Sequence, residues 1–281
     1  MIAAFLGEIL TEAMSITELS ILIVGETSRA EFREARRSLA CQGRLMEAEN
    51  LADAVTLLEK GTAIPDVVVI AQSYPGQFSL PAIDDLRRRV PLARMLALLG
   101  SWCEGETRTG RPWPAAIRLY WHQWQPHAER EFHRLGEGLG SSWSLPMTAS
   151  EEEHFLALAE QPLERREGTV AIWSSSFEMQ DWLSDACRRV GCQSVWFRGG
   201  EKSTPGEFHV AIFDAVDCSA RTLSELRALA NALRPTPVIA LLDFPRVEDR
   251  DQALSAGASA ILSKPVQLED LFWQIDRLTI A

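Results

Sequence analysis

The chain has 281 residues, 46% of them hydrophobic and 24% charged, with a formal net charge of -11. That is length and apolar content for two ordinary domains with real cores, which excludes compositional disorder. The acidic balance lacks the basic surplus of a nucleic-acid footprint, so no DNA or RNA partner is expected.

Residues 1–19 read as one amphipathic leader helix, with Phe5, Ile9 and Leu10 on one side. Packing against the first domain, a dimer contact and a partly ordered leader all remain open for it. SILIVG then forms a short buried strand, and a helix over about residues 29–40 repeats Phe32, Ala35 and Leu39 at helical spacing. RLMEAEN gives a second strand. LADAVTLLEKG gives a second helix, with Gly61 as its C-cap. Residues 66–70 are nearly all valine and isoleucine, as expected of a strand whose two sheet faces are both covered by helices. A helix over residues 81–89, the strand ARMLALLG, a long loop over residues 101–114, the strand IRLYW and a helix over residues 126–135 complete this unit. A helical connector follows over residues 136–168, with Ser150 and Glu153 at capping-box spacing.

The alternation restarts at residue 169. TVAIW is a strand, and its helix carries the stripe Met179, Trp182, Leu183, Ala186, Cys187 and Val190. SVWF is the next strand, while RGGEKSTPGE is too broken by Gly and Pro for the helix expected there. FHVAIFD, a long helix, PVIALLD, a polar helix, AILSKP and a last helix over residues 268–278 close the chain. The expected fold is α/β: two doubly wound, five-stranded parallel sheets of order 2-1-3-4-5 joined by a helical connector. The expected divisions are a leader (1–19), a first domain (20–135), a connector (136–168) and a second domain (169–281).

AENLADAVTLLEKG followed by PDVVVIA in the first unit, and FHVAIFD, PVIALL and ALSAGASAILSKP in the second, carry a resemblance. Both units resemble the receiver domain of two-component response regulators. In active receivers an aspartate ending strand three accepts a phosphoryl group. Two acids after strand one hold Mg²⁺, a hydroxyl residue ends strand four, and a Lys-Pro follows strand five. The resemblance places Asp214 at the acceptor position and Lys264 with Pro265 at the phosphate-contacting pair. Ser174 and Ser175 stand where the acidic pair belongs, and Leu242 where the hydroxyl belongs. The first unit has Gly25 and Glu26 for the acids, Ala71 for the acceptor and Leu99 for the hydroxyl.

These departures remove chemistry. Magnesium takes hard oxygens and usually one or two carboxylates, and two neutral serines cannot replace two acids. Phosphoryl transfer onto a carboxylate also needs the charge offset that the metal gives. Asp214 with Lys264 therefore reads as an ion pair joining two strand ends, with residual phosphoacceptance as the alternative. Asp217 reads as a loop residue or a recruited metal ligand. No metal or cofactor is expected, since His122, His127 and His133 lack ligand spacing and no P-loop, GxGxxG or GxSxG occurs.

The five cysteines, Cys41, Cys103, Cys187, Cys192 and Cys218, are odd in number without a CxxC pair, so free thiols in the cytoplasm are expected. No apolar run reaches membrane length, and MIAAFLGEIL carries Glu8 without a basic start, against a signal peptide. Nine tryptophans are many. Trp102, Trp113, Trp121, Trp124 and Trp143 fall in or beside the 101–114 loop and its closing elements, either filling gaps under it or offering a protein contact. Trp102, Arg108, Arg111 and Trp113 are the candidate partner-binding residues.

The functional expectation is a non-catalytic tandem pseudo-receiver acting as a protein–protein interaction module in signalling. Its protein partner is unidentified, membrane attachment is not expected, and homodimerisation stays open. The alternative is a response regulator phosphorylated on Asp214 with Lys264 contacting the phosphoryl group. An unrelated α/β enzyme is the third reading.

Overall fold

The computed structural model of the chain describes residues 19–61, 64–110, 112–113, 117–139, 141–146, 149–150, 152–153, 156, 163–198 and 207–280. The expected leader up to residue 18, most of the connector helix and the broken segment 199–206 lie outside the described residues. By internal contacts the chain divides into two compact units, Met1–Leu119 with Glu131–Thr148, and Tyr120–Arg130 with Ala149–Ala281.

The first unit holds β1 (Leu19–Val24), α1 (Arg33–Gln42), β2 (Gly43–Ala48), α2 (Leu51–Glu59), β3 (Val67–Gln72), α3 (Leu80–Arg89), β4 (Arg94–Leu99), the short α4 (Glu106–Thr109) and β5 (Ile117–Tyr120). Its sheet has the order β2-β1-β3-β4-β5. All six residues of β3 are buried, because a central parallel strand is covered on both faces. Asn50 starts α2 by accepting the Asp53 amide at 2.9 Å, and Ile83 and Leu86 turn inward on α3 while Arg87, Arg88 and Arg89 end it. The helix α5 (Trp124–Gly136) follows a 3₁₀ turn. Glu131, fully buried on it, accepts the Ser141 hydroxyl at 2.6 Å and the Ser142 amide at 2.9 Å, which fixes Trp143 edge-on to Phe132.

The second unit holds β6 (Thr169–Trp173), α6 (Phe177–Val190), β7 (Gln193–Phe197), β8 (Val210–Asp214), α7 (Ala220–Ala232), β9 (Val238–Asp243), α8 (Val247–Ser255), β10 (Ala260–Lys264) and α9 (Leu268–Ile280). The order β7-β6-β8-β9-β10 is again 2-1-3-4-5, and every pairing described is parallel. Period-two alternation sorts the sheet into two cores. Val170, Ile172, Val210, Ile212, Ile239 and Leu241 pack with α6 and α9. Ala171, Trp173, Ala211, Phe213, Ala240 and Leu242 pack with α7 and α8. The α6 stripe is narrower than its spacing predicts. Leu183, Ala186, Cys187 and Val190 are buried, Met179 is half-buried, and Trp182 is left 37% exposed at the margin of the helix face.

Tyr120–Arg130 groups with the second unit, whereas the sequence placed it within a first domain ending at residue 135. Its contacts explain why. Arg130 lies 2.7 Å from Asp270 with both groups buried, Arg277 donates to Glu129 at 2.9 Å, and the Arg250 guanidinium sits 5.4 Å over the Trp121 ring. His127 is part of this cluster, 3.5 Å from Asp270, so it is a buried histidine and not a surface one. Burial lowers His122 to about 4.

Candidate functional site

In a doubly wound sheet, strand carboxyl ends collect the groups that can react or bind. Register shows which residues are equivalent in the two units. Trp173 pairs with Phe213 in the second and Val24 with Ile70 in the first, so Ser174 beside Asp214 corresponds to Gly25 beside Ala71. Asp214 faces Leu241 and Ala71 faces Leu98, which aligns Leu242 with Leu99.

In the second unit Asp214 is buried, and both of its oxygens are engaged. The Lys264 ammonium donates to Oδ1 at 2.8 Å, and the fully buried Ser174 hydroxyl donates to Oδ2 at 2.6 Å. Lys264 pairs in register with Asp243, so its long side chain reaches past β9 to β8. There it also donates to the Ala215 carbonyl at 3.0 Å and lies 3.3 Å from the more exposed Asp243. The Lys264–Pro265 bond is cis. Ser174 is held in turn by the Ser176 amide, which donates to its oxygen at 3.0 Å. Ser175, the other residue at the acidic position, is exposed, and Leu242 is buried in the core.

This donor set does not fit the magnesium that active receivers hold. The position of the acids carries hydroxyls, and each oxygen of the Asp214 carboxylate already accepts a donor, the Lys264 ammonium on one and the Ser174 hydroxyl on the other. Among the described residues no group of three His, Cys, Asp or Glu could hold a metal ion. Asp217 is not aimed at such a site. It accepts the Thr222 hydroxyl at 2.6 Å and the Ser219 amide at 3.0 Å ahead of α7, and these bonds, the one from Thr222 foremost, lower its carboxyl to about 2.

The first unit has a different edge. Ala71 is fully buried, and a Cβ on Gly25, whose φ is +122°, would meet the Ala71 carbonyl oxygen at 2.5 Å. The strand ends are closed on each other where an acceptor site would open. The next residue, Gln72, is 1% exposed and orders the space beyond. Its amide nitrogen donates to Glu106 Oε1 at 2.9 Å, and its amide oxygen accepts the Trp113 indole N–H at 2.8 Å. Glu106 is ion-paired to Arg118 of β5. The Cys103 thiol donates to the Gln72 carbonyl at 3.4 Å, and burial pushes that thiol up to about 11, with the Glu106 charge adding to the effect. At the rim the buried Glu31 accepts the Ser101 amide and the Arg29 guanidinium at 3.0 and 3.1 Å. Glu26 is exposed, and Leu99 is buried.

The 101–114 segment therefore differs from an open loop. It forms a 3₁₀ turn over Ser101–Cys103 and then α4. Trp113, expected at a partner surface, is 5% exposed and packed inward, with its indole N–H donating to the Gln72 amide oxygen. Trp121, Trp124 and Trp143 are buried too, while Trp102 is 74% exposed and Arg108 is exposed; Arg111 lies outside the described residues. Sequence reasoning missed Glu31, Glu106 and Arg118. The one available signal was Arg118, a charge inside the four-residue strand IRLY.

A five-stranded parallel sheet of order 2-1-3-4-5 with its helices is the flavodoxin-like doubly wound fold, the fold that receiver domains share, and the chain carries two in tandem. No family model and no curated protein matches the sequence. Solved structures similar to it include the receiver domain of the Francisella response regulator 1452, at 18% identity over 40% of this chain and 97% of that one, with a TM-score of 0.36. A receiver domain of a signal transduction histidine kinase from Syntrophus aciditrophicus is 23% identical over 40% and 90%, with a TM-score of 0.36. The receiver domain of Saccharomyces cerevisiae Ssk1, co-crystallised with the histidine phosphotransfer protein Ypd1, is 18% identical over 43% and 92%, with a TM-score of 0.35. These likenesses concern the fold. Among the described residues no helix is long and apolar enough to cross a membrane.

Proposed function

We propose that the chain is a non-catalytic, cytoplasmic tandem pseudo-receiver that works by binding a protein partner in a signalling assembly. The observation that carries this reading is the state of Asp214. Its two oxygens are taken by Lys264 and Ser174, and no second carboxylate stands at the acidic position to recruit a metal. The first unit supports it independently, since Ala71 offers no acceptor and Gly25 closes against it. The free state of all five cysteines fits a reducing compartment. The surface offered to a partner is the turn around Trp102 with Arg108, a residue pairing favoured in interface centres.

The reaction with small phosphodonors tests this. Incubation with acetyl phosphate and Mg²⁺ leaves the intact mass unchanged, and beryllofluoride shifts no backbone resonance around Asp214. A stoichiometric, acid-stable and base-labile adduct that is lost in Asp214→Asn would overturn the proposal. That outcome would establish the second reading, a regulator phosphorylated on Asp214, which the intact Asp214–Lys264 contact and the Lys264–Pro265 pair favour.

A further inference from the structure

At the opposite edge of the second unit from Asp214, a cleft of ≈ 380 Å³ opens where α7 and α8 end and β9 begins. That volume falls in the range of small-molecule sites, about 300–1,000 Å³. Arg227 and Asn231 of α7 and Arg234 of the turn after it line it, with Thr236, Ser255 and Ser259 among the other polar groups. Its lining contains no acidic and no aromatic residue.

The donors can be counted. Ser255 and Thr236 spend their hydroxyl protons on the Asp251 and Phe208 carbonyls, so they present only oxygen lone pairs. Ser259 accepts the Val238 amide and keeps its own proton available. Arg227, Asn231 and Arg234 have no hydrogen-bond or ion-pair partner among the described residues. Elsewhere in the unit Arg221 is paired with Glu225, and Arg250 with Asp251. The net sign of the cleft follows from magnitudes. The carboxyl ends of two helices contribute about half a negative charge each, so two guanidinium groups leave a surplus of about one positive charge. This sits in a chain of net charge -11. The floor is closely packed, since a Cβ on Gly257 (φ +110°) would meet the Ala230 Cβ at 2.8 Å.

We propose that this cleft binds a small phosphate-bearing anion without an aromatic part. Guanidinium forks match phosphate oxygens in pairs, the asparagine amide and the Ser259 hydroxyl add neutral donors, and nothing in the lining would stack on a base. The site stands apart from the receiver-type edge, so it holds whether or not Asp214 accepts a phosphoryl group.

The test is calorimetric titration of the full chain with inorganic tripolyphosphate in 0.15 M NaCl without divalent cations, with citrate as the carboxylate arm. Saturable binding of tripolyphosphate is expected, at least about tenfold tighter than citrate. Arg227→Ala and Arg234→Ala each weaken it about tenfold, Arg227→Lys loses less than Arg227→Ala, and Asp214→Asn leaves it unchanged. Both alanine variants keep the melting temperature of the unliganded chain, since the side chains are exposed. Three results would overturn the proposal: no saturation by millimolar tripolyphosphate, citrate binding as tightly, or undiminished affinity in the Arg227→Ala/Arg234→Ala double variant.

Discussion

In the second unit the central strand ends in Asp214, which meets Lys264 from the last strand; in the first, the same strand end carries Ala71. There the buried carboxylate arrives 34 residues after Gln72, as Glu106 on a four-residue helix, and its cation is Arg118. Both edges thus bury an acid–base pair, assembled from non-equivalent positions. The difference lies in redundancy. Lys264 has a second carboxylate in Asp243 and a carbonyl in Ala215. Among the described residues Arg118 has Glu106 as its ion-pair partner, and its buried Nε and Nη1 have none. The first edge is a network of interlocked buried groups, whereas the second shares one lysine among three oxygen acceptors.

The largest test of that contrast removes the indole of the first edge. Trp113→Ala is expected to destabilise the first unit by about 3–5 kcal/mol, since it deletes a buried aromatic and strips the Gln72 amide oxygen of its donor. Hydrogen exchange read peptide by peptide should place the loss in β3, β4 and β5. Loss below about 1 kcal/mol would show that Trp113 is not load-carrying in the packed edge.

Breaking each ion pair from its acid side compares the two directly. Glu106→Ala removes the buried partner of the part-buried Arg118 and an acceptor of the Gln72 amide, and should cost about 3–5 kcal/mol. Asp214→Ala should cost less, about 1–3 kcal/mol, because Lys264 keeps Asp243 at 3.3 Å and the Ala215 carbonyl at 3.0 Å. Denaturant melts of the two variants that gave equal losses would remove the distinction.

Trp102 probes the outer side of the same segment. Trp102→Ala should change stability by less than about 0.5 kcal/mol, as for an exposed site, while weakening capture of the native partner by about 1–3 kcal/mol. Unchanged affinity in a pull-down titration would remove this surface from the proposal.

The smallest effect is electrostatic. Asp217 is held at about 2 against an ordinary 3.8, chiefly by the Thr222 hydroxyl. Its folded-state value is depressed, so its contribution is complete above the unfolded value and disappears as pH falls from about 4 through about 2. Carboxyl NMR should show that midpoint, and Thr222→Val should move it upward. No movement would mean that the hydroxyl is not the cause.

Most of the fold was legible in residue pattern. Valine- and isoleucine-rich runs such as VVVIAQ and VAIFD have the composition of strands covered on both sides, and the repeated strand–helix order then allows few topologies. Caps were legible as well, since Ser150 and Glu153 bond reciprocally at 3.2 and 2.7 Å. The candidate site was legible where it depends on strand ends. Asp214, Lys264 and Ser174 meet because register brings them to one edge. It was not legible where side chains fold back from loops. Nothing in the spacing of Gln72, Glu106, Trp113 and Arg118 announces that they share one cavity, and Trp113 looked like Trp102 until packing separated them.

The sequence by itself determined two parallel sheets and that no acid stands at Gly25, Ala71, Ser174 or Ser175, because strand composition and the chemistry of individual residues are local properties. Tertiary structure decided which of two neighbouring tryptophans is buried, where Arg118 finds its counter-charge, and that Tyr120–Arg130 packs with the second unit. Those outcomes depend on contacts between residues far apart in the chain, whose free energies are set by burial and hydrogen-bond geometry that no local pattern encodes.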